Sequence, residues 1–194
     1  MASSRREHLL VTAQKLFNKY GFHATGIDLV QAESGVSKTT MYKYFKSKDD
    51  LIQAVLERRH DQFNVWIKNR VEELSEKNYP GEEEARLLAM FDALTEWFQT
   101  DTFYGCYFIN ASAEYSEEDH PIHAYAAQHK LELVDLIRAQ LPPMESELAD
   151  ELAKETLLLM DGAIVCANTT GMKDAGERAK KMFRLLLAQV RQQL

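Results

Sequence analysis

The stretch from Thr25 to Lys48 reads TGIDLVQAESGVSKTTMYKYFKSK. It predicts two short helices separated by a tight turn at Ser34-Gly35, because glycine permits the left-handed backbone at which many helices end. Thr25 is predicted to cap the first helix, with Asp28 three residues later, and Ser37 is predicted to cap the second.

The second predicted helix, Lys38 to Phe45, has one apolar face and one polar face. Met41 and Phe45 lie four residues apart and share the face that must be buried. The side chains on the remaining surface are Lys38, Thr39, Tyr42 and Lys43. A helix–turn–helix has this layout, and its second helix enters the DNA major groove with its N-terminal residues on base edges.

The run from Gly35 to Leu51, GVSKTTMYKYFKSKDDL, carries a more specific signal. It combines a Gly-Val-Ser turn, Tyr and Phe three residues apart, and Lys-Ser-Lys before an acidic pair. This run resembles the recognition region of the tetracycline-repressor (TetR) family, over about residues 8 to 56. The resemblance implies an all-α fold of about nine helices. It places a helix–turn–helix DNA-binding domain at residues 1–47 and a helical effector-binding and dimerisation domain at 48–194.

The same resemblance implies roles at the DNA end. Lys38 and Thr39 are expected to contact bases, since lysine favours guanine and threonine offers a hydroxyl and a methyl group. The residues expected to hold phosphates are Thr25, Thr40, Tyr42, Tyr44 and Lys48, while Lys43 suits either role. The alternative is that the tyrosines only pack and the lysines form a solvated face.

The distribution of charge agrees with a DNA-binding end. The net charge is −7 over 194 residues. Residues 1–50 nevertheless hold eight Lys and Arg against five Asp and Glu, whereas the remainder holds 15 against 25. Such asymmetry favours a nucleic-acid-binding end on an acidic body. The expected partners are double-stranded DNA with a pseudo-palindromic operator, a second copy of the chain and a small-molecule effector.

Two cysteines, Cys106 and Cys166, form no Cys-x-x-Cys spacing. They predict a reduced, cytoplasmic protein. The most apolar run, residues 157–167, is too short to span a bilayer and contains Asp161, so no membrane association is expected.

No catalytic signature is present in the sequence, and we expect no enzyme activity and no cofactor. His120 and His123 lie beside three acidic residues, which makes a metal site conceivable. Pro121 separates the two histidines, and a solvated loop without metal is the favoured interpretation.

The acidic body is rich in aromatic residues. Ligand pockets are mostly apolar with a few placed polar groups. The candidate effector-pocket residues are Trp66, Phe91, Trp97, Phe98, Phe103, Cys106, Phe108, Asn110, Glu114, Tyr125, His129 and Asp161. The alternative is an aromatic core with satisfied polar groups. Cys106 lies in a segment similar to one in which some family members sense oxidants or electrophiles, although a structural cysteine is favoured.

The last two predicted helices are apolar nearly all round, which favours burial on most sides. The resemblance implies that they pair with their mates as a four-helix dimer bundle. The predicted interface residues are Leu158, Met160, Ile164, Phe183, Leu186, Leu187 and Val190.

The sequence thus predicts a ligand-responsive transcriptional regulator, in the form of a repressor released from its operator by an effector. The alternative is a sensor of small molecules or thiol-reactive compounds with a different or vestigial DNA role. The effector, the operator, the regulated genes and the choice between repression and activation do not follow from the sequence.

Overall fold

The structure, a computed structural model, describes residues 2–192. Those residues form nine α-helices and no strand, which confirms the predicted fold class. The helices are α1 Ala2–Tyr20, α2 Ile27–Ser34, α3 Lys38–Tyr44, α4 Lys48–Asn78, α5 Ala85–Phe98, α6 Tyr107–Glu114, α7 Pro121–Arg138, α8 Ser146–Thr170 and α9 Ala175–Arg191.

The helices form two compact units. The first comprises the described residues up to Gln62 together with 106–129, and the second comprises 63–105 together with the described residues from 130 onward. Helices α4 and α7 contribute residues to both units. The predicted functional division between residues 47 and 48 stays a prediction.

In the first unit, the end of α2 and the N-cap of α3 are formed by the residues that the sequence predicts. Gly35 ends α2 with a φ of 64°, and its backbone N–H donates to the carbonyl of Gln31. The Ser37 hydroxyl caps α3 by accepting from the Thr40 backbone N–H at 3.3 Å. Met41 and Phe45 are buried. The turn between α2 and α3 is therefore fixed by residues within the turn itself.

The predicted cap at Thr25 is wrong. Helix α2 begins one residue later than such a cap requires, with Gly26 at the N-cap and no side-chain capping hydrogen bond. Thr25 is fully buried, and its hydroxyl donates to the carbonyl of Gly21 at 2.7 Å. Thr25 therefore ties α2 to the end of α1, because a buried hydroxyl needs a hydrogen-bond partner.

In the second unit, α5 packs on α8 and α9. The Phe91 and Phe183 rings, both fully buried, lie with their centroids 5.5 Å apart. The two helices approach so closely that a Cβ at Gly176 of α9 would lie 2.9 Å from the Phe91 carbonyl oxygen. A glycine is therefore required where α9 crosses α5.

Four of the seven residues predicted for the dimer interface have little exposed surface in the single chain. Met160, Ile164, Phe183 and Leu187 are buried within the chain itself, on the sides of α8 and α9 that make the core of this unit. Leu158, in contrast, is 73% exposed, and Leu186 and Val190 are half-buried. The large apolar side chains exposed on the two helices are Leu158, Val165, Met182 and Leu185, and Met172 is exposed in the turn between them.

We refer to these five exposed residues as the α8–α9 apolar face. Leu158, Met172 and Met182 of this face line a shallow depression of about 250 Å³, together with residues that include Gly162 and Cys166. None of the helices formed by the described residues combines the length and the apolar character needed to cross a membrane.

Candidate nucleic-acid interface and effector residues

Helix α3 presents a polar surface to solvent. Met41 faces the core, so the residues on the opposite side of the helix point outward. Lys38, Thr39, Tyr42 and Lys43 are exposed, and Thr40 and Tyr44 are half-buried. The structure thus brings together on one short helix six of the eight side chains that the sequence assigns to DNA.

Lys38, the first residue of α3, forms an ion pair with Asp28 of α2. The hydrogen bond with Asp28 and the attraction of its charge raise the pKa of Lys38 above its ordinary value. Both side chains are exposed, and exposed pairs of this kind contribute little stability. Lys38 can therefore exchange Asp28 for a base edge at small cost.

The two remaining DNA candidates have internal contacts. The Thr25 side chain is buried, so any contact of Thr25 with a phosphate would have to be made by its backbone. Lys48, the first residue of α4, donates from Nζ to the carbonyl of His23 at 3.1 Å. Burial lowers the pKa of Lys48, against the opposing charges of Asp49 and Glu114.

A groove beside the start of α3 contains residues outside the set predicted from the sequence to contact DNA. It has a volume of about 410 Å³ and is lined by Arg5 and His8 of α1 together with residues 34–37 and Thr40. Nε2 of His8 lies 3.1 Å from the carbonyl oxygen of Ser34. The basic pair Arg5-Arg6 near the start of the chain was the sequence signal available for this addition.

Comparison with known families assigns both parts of the chain. Residues 9–55 match the bacterial regulatory proteins of the tetR family, and residues 84–183 match the C-terminal domain of tetracycline-repressor-like proteins. The chain belongs to the TetR family. It is a helix–turn–helix transcriptional regulator, and α2 and α3 form the helix–turn–helix of this family.

Individual relatives of this TetR-family chain are regulators too. The transcriptional regulator YjdC of Escherichia coli is 27% identical over 160 residues, which are 82% of this chain and 81% of YjdC. The repressor NemR of Escherichia coli is 33% identical over 110 residues, 56% of this chain and 53% of NemR. The crystal structure of SCO4454, a TetR-family regulator from Streptomyces coelicolor, superposes with a TM-score of 0.82. It is 26% identical, and the match covers 97% of this chain and 96% of SCO4454.

Half of the effector-pocket candidates of this TetR-family chain lie in the second unit. The Trp97 and Phe103 rings meet edge-on with centroids 4.9 Å apart, and Trp66 lies 6.3 Å from Trp97. Phe98 packs against Phe103 at 5.0 Å. Phe91 and Asp161 have other partners: Phe91 packs in the core against Phe183, and Asp161 pairs with Lys130 at 2.6 Å.

The other candidates lie in the first unit. The Phe108 ring stacks on His129 at 3.6 Å, and Nδ1 of His129 lies 2.9 Å from Nδ1 of His60. His129 and Phe108 are buried, whereas Asn110 and Tyr125 are half-buried. Phe108, Tyr125 and His129 meet His60 in a polar-aromatic cluster, and the part of the three candidates in an effector site stays a prediction.

Beside this cluster lies Arg59 of α4. Its guanidinium carbon is 5.4 Å from the centre of the Tyr107 ring. Burial lowers the pKa of Arg59 and raises the pKa of Tyr107 to about 12. Cys106, which immediately precedes α6, is a free and buried cysteine, whereas Cys166 is exposed. Burial is the environment of a structural cysteine, which agrees with the favoured interpretation of Cys106.

Among the effector-pocket candidates, Glu114 has the partners that differ most from those expected of a pocket residue. Its carboxylate accepts hydrogen bonds from the backbone N–H groups of Phe22, at 2.9 Å, and His23, at 2.5 Å. Both groups belong to the turn between α1 and α2, about 90 residues earlier in the chain. The partners of Glu114 are thus in the DNA-binding part, and no local sequence pattern signals a contact over this separation.

His120, directly before α7, and His123, in the first turn of α7, both have protein partners. Nδ1 of His123 lies 2.7 Å from the carbonyl oxygen of Tyr115, and Nε2 of His120 lies 3.8 Å from Asp49. Across residues 2–192, no group of three or more His, Cys, Asp and Glu side chains is arranged to hold a metal ion.

Proposed function

We propose that this chain is a homodimeric repressor that binds a pseudo-palindromic operator and is released from it by a small-molecule effector. The exposed polar face of α3 carries the proposal. Lys38 and Thr39 lie at the N-terminal end of that helix, which is the end that meets base edges when such a helix enters the major groove. The repressor NemR among the relatives supports the negative sign of regulation.

The proposed contacts divide into two kinds. Lys38 and Thr39 read bases, and Lys43, next along the exposed surface, contacts either a base or a phosphate. The phosphate contacts come from Thr40, Tyr42, Tyr44 and Lys48, with Thr25 contributing through its backbone alone. Phosphate contacts fix the register of the protein on the duplex, whereas base contacts carry the sequence information.

The α8–α9 apolar face supports the homodimer. It exposes four large apolar side chains on α8 and α9 and a fifth, Met172, in the turn between them, and exposed apolar surface of this kind marks interaction sites. A two-fold axis through this face would give each DNA duplex two copies of α3, which matches a site with two-fold symmetry.

Binding of the effector is proposed to weaken binding of the operator, and the reverse. A small molecule held by the aromatic and polar candidates favours a conformation in which the two α3 helices are wrongly spaced for DNA. By linkage, the effector and the operator then weaken each other's binding by the same factor.

Lys38→Ala and Lys48→Ala separate the two kinds of contact. Loss of Lys38 should lower affinity for a fragment selected from random DNA by roughly tenfold and leave binding to unrelated DNA nearly unchanged, because a base contact is lost. Loss of Lys48 should weaken both DNAs alike and reduce the salt slope by about one ion. Fluorescence anisotropy over a salt series measures both effects.

The matched control is Lys68→Ala. Lys68 is exposed on α4, outside the residues assigned to DNA, and the substitution removes the same charge. Its affinity and salt slope should remain those of the wild type. Equal losses on selected and unrelated DNA for Lys38→Ala would refute its base-reading role.

A further inference from the structure

The last residue of α6 holds the turn between α1 and α2. The Glu114 carboxylate accepts from two consecutive backbone N–H groups, those of Phe22 and His23. Gly21 precedes them with a φ of 86°, and a Cβ there would lie 3.0 Å from Oε1 of Glu114. Consecutive N–H groups after a left-handed residue form a concavity that binds anions. Here the chain fills that concavity with its own carboxylate.

The next residue, Tyr115, holds the start of α4. Its hydroxyl donates to Oδ1 of Asp49 at 3.2 Å. Burial and then the charge of Asp49 raise the pKa of Tyr115 far above its ordinary value, so the hydroxyl keeps its proton and remains a donor. The end of α6 is therefore fastened both to the α1–α2 turn and to the first turn of α4.

Lys48 lies where these two attachments meet. It directly precedes Asp49, the partner of Tyr115, and its ammonium group donates to the carbonyl of His23, whose N–H is held by Glu114. The backbone N–H of His23 thus donates to Glu114 of α6, and the carbonyl of His23 accepts from Lys48. A shift of the Glu114 carboxylate would change the position of the carbonyl that orients Lys48.

We propose that Glu114 is a positioning residue that couples α6 to the DNA contact of Lys48. This inference rests on the proposed function and names the path of its regulation. Helix α6 has eight residues, which span about 12 Å. Its first half carries the effector candidates Phe108 and Asn110, and its last residue is Glu114. An effector that moves the first half of this short helix moves the carboxylate as well.

Glu114→Gln tests the coupling without an effector. The neutral amide cannot accept both N–H groups as the carboxylate does, and hydrogen bonds to a charged group are the stronger ones. Amide hydrogen exchange at Phe22 and His23 should rise by about tenfold or more. Affinity for the selected DNA fragment should fall by about tenfold, and the salt slope should fall by about one ion, as for Lys48→Ala. The double variant Glu114→Gln with Lys48→Ala should show no further fall in slope.

Two further variants secure the interpretation. Glu118→Gln removes the same charge a few residues later, from an exposed side chain that makes no hydrogen bond or ion pair with the described residues, and should leave exchange and DNA binding unchanged. Glu114→Asp keeps the charge but shortens the side chain by one methylene, so it should resemble Glu114→Gln in exchange rate and salt slope.

An unchanged salt slope in Glu114→Gln, or losses that add fully to those of Lys48→Ala, would overturn the coupling and leave Glu114 a stabilising contact only. Unchanged exchange at Phe22 and His23 would overturn the contact itself. If the wild type selects no DNA fragment, the proposed function fails, and the coupling to a phosphate contact fails with it. In that case, faster amide exchange in Glu114→Gln would still establish the contact between α6 and the α1–α2 turn. Failure of the proposed function is thereby distinguished from failure of the contact.

Discussion

Replacing both Leu158 and Leu185 with aspartate is expected to convert the protein to monomers and to weaken operator binding by at least about a hundredfold. The two leucines are 73% and 72% exposed, so the change costs the isolated subunit little. In the proposed dimer each leucine would be covered, at a gain of roughly 1.5–3 kcal/mol per side chain. Aspartate forfeits that gain and brings unpaired charges into the interface.

Light scattering across a concentration series gives the mass, and anisotropy with the selected fragment gives the affinity. The control is Leu131→Asp, which makes the same chemical change at a 67% exposed leucine of α7, outside the α8–α9 apolar face. This control should remain a dimer with wild-type affinity. A double variant that stays dimeric would place the interface on another surface.

Gly176→Ala is expected to reduce the free energy of unfolding by about 2–3 kcal/mol, even though alanine favours helices by about 1 kcal/mol over glycine. The new Cβ would lie 2.3 Å from the Thr95 hydroxyl oxygen and 2.9 Å from the Phe91 carbonyl oxygen. The hydroxyl can rotate away, but the carbonyl belongs to the α5 backbone. Helix α9 must therefore move off α5 and lose packing in the core.

Urea unfolding at one fixed protein concentration measures this loss, because a dimer's apparent stability depends on concentration. Gly26→Ala serves as the control, since a Cβ at Gly26 meets nothing within 4 Å and its φ of −77° suits alanine. It should change the free energy by less than about 1 kcal/mol. Similar effects from the two substitutions would show that α5 and α9 do not approach as closely as described.

The helix–turn–helix was predictable because its determinants are local. Gly35 at a helix end and Ser37 at a helix start act within three or four residues of themselves, and the sequence pattern contains both. Thr25 was misassigned because the same residue type satisfies two rules. A threonine before a helix can cap it, but this one is buried and bonds to the preceding helix instead.

The α8–α9 apolar face shows the limit of periodicity. In the run Leu157-Leu158-Leu159-Met160 every side of α8 is apolar, so the pattern cannot indicate which side meets the core. In the folded chain α8 packs on α9 and α5, and Met160 is buried whereas Leu158 is exposed. Which helices pack on which side of α8 is tertiary information that the sequence of a single helix does not contain.

Glu114 illustrates the same limit for the site. Its neighbours Asn110 and Phe108 share its short helix, and the sequence groups all three with the effector candidates. Only the fold brings the α1–α2 turn to the end of α6, across more than 90 residues. Contacts between backbone N–H groups and a distant carboxylate leave no signature in residue spacing.

The most direct test of a dimeric operator binder is to select random DNA fragments on the purified wild-type protein at two salt concentrations and to sequence them. A dimeric operator binder should enrich a motif with two-fold symmetry, with half-sites separated by about one helical turn or a multiple of it, and its binding should weaken steeply with salt. Fragments without any enriched motif at either salt concentration would contradict this proposal.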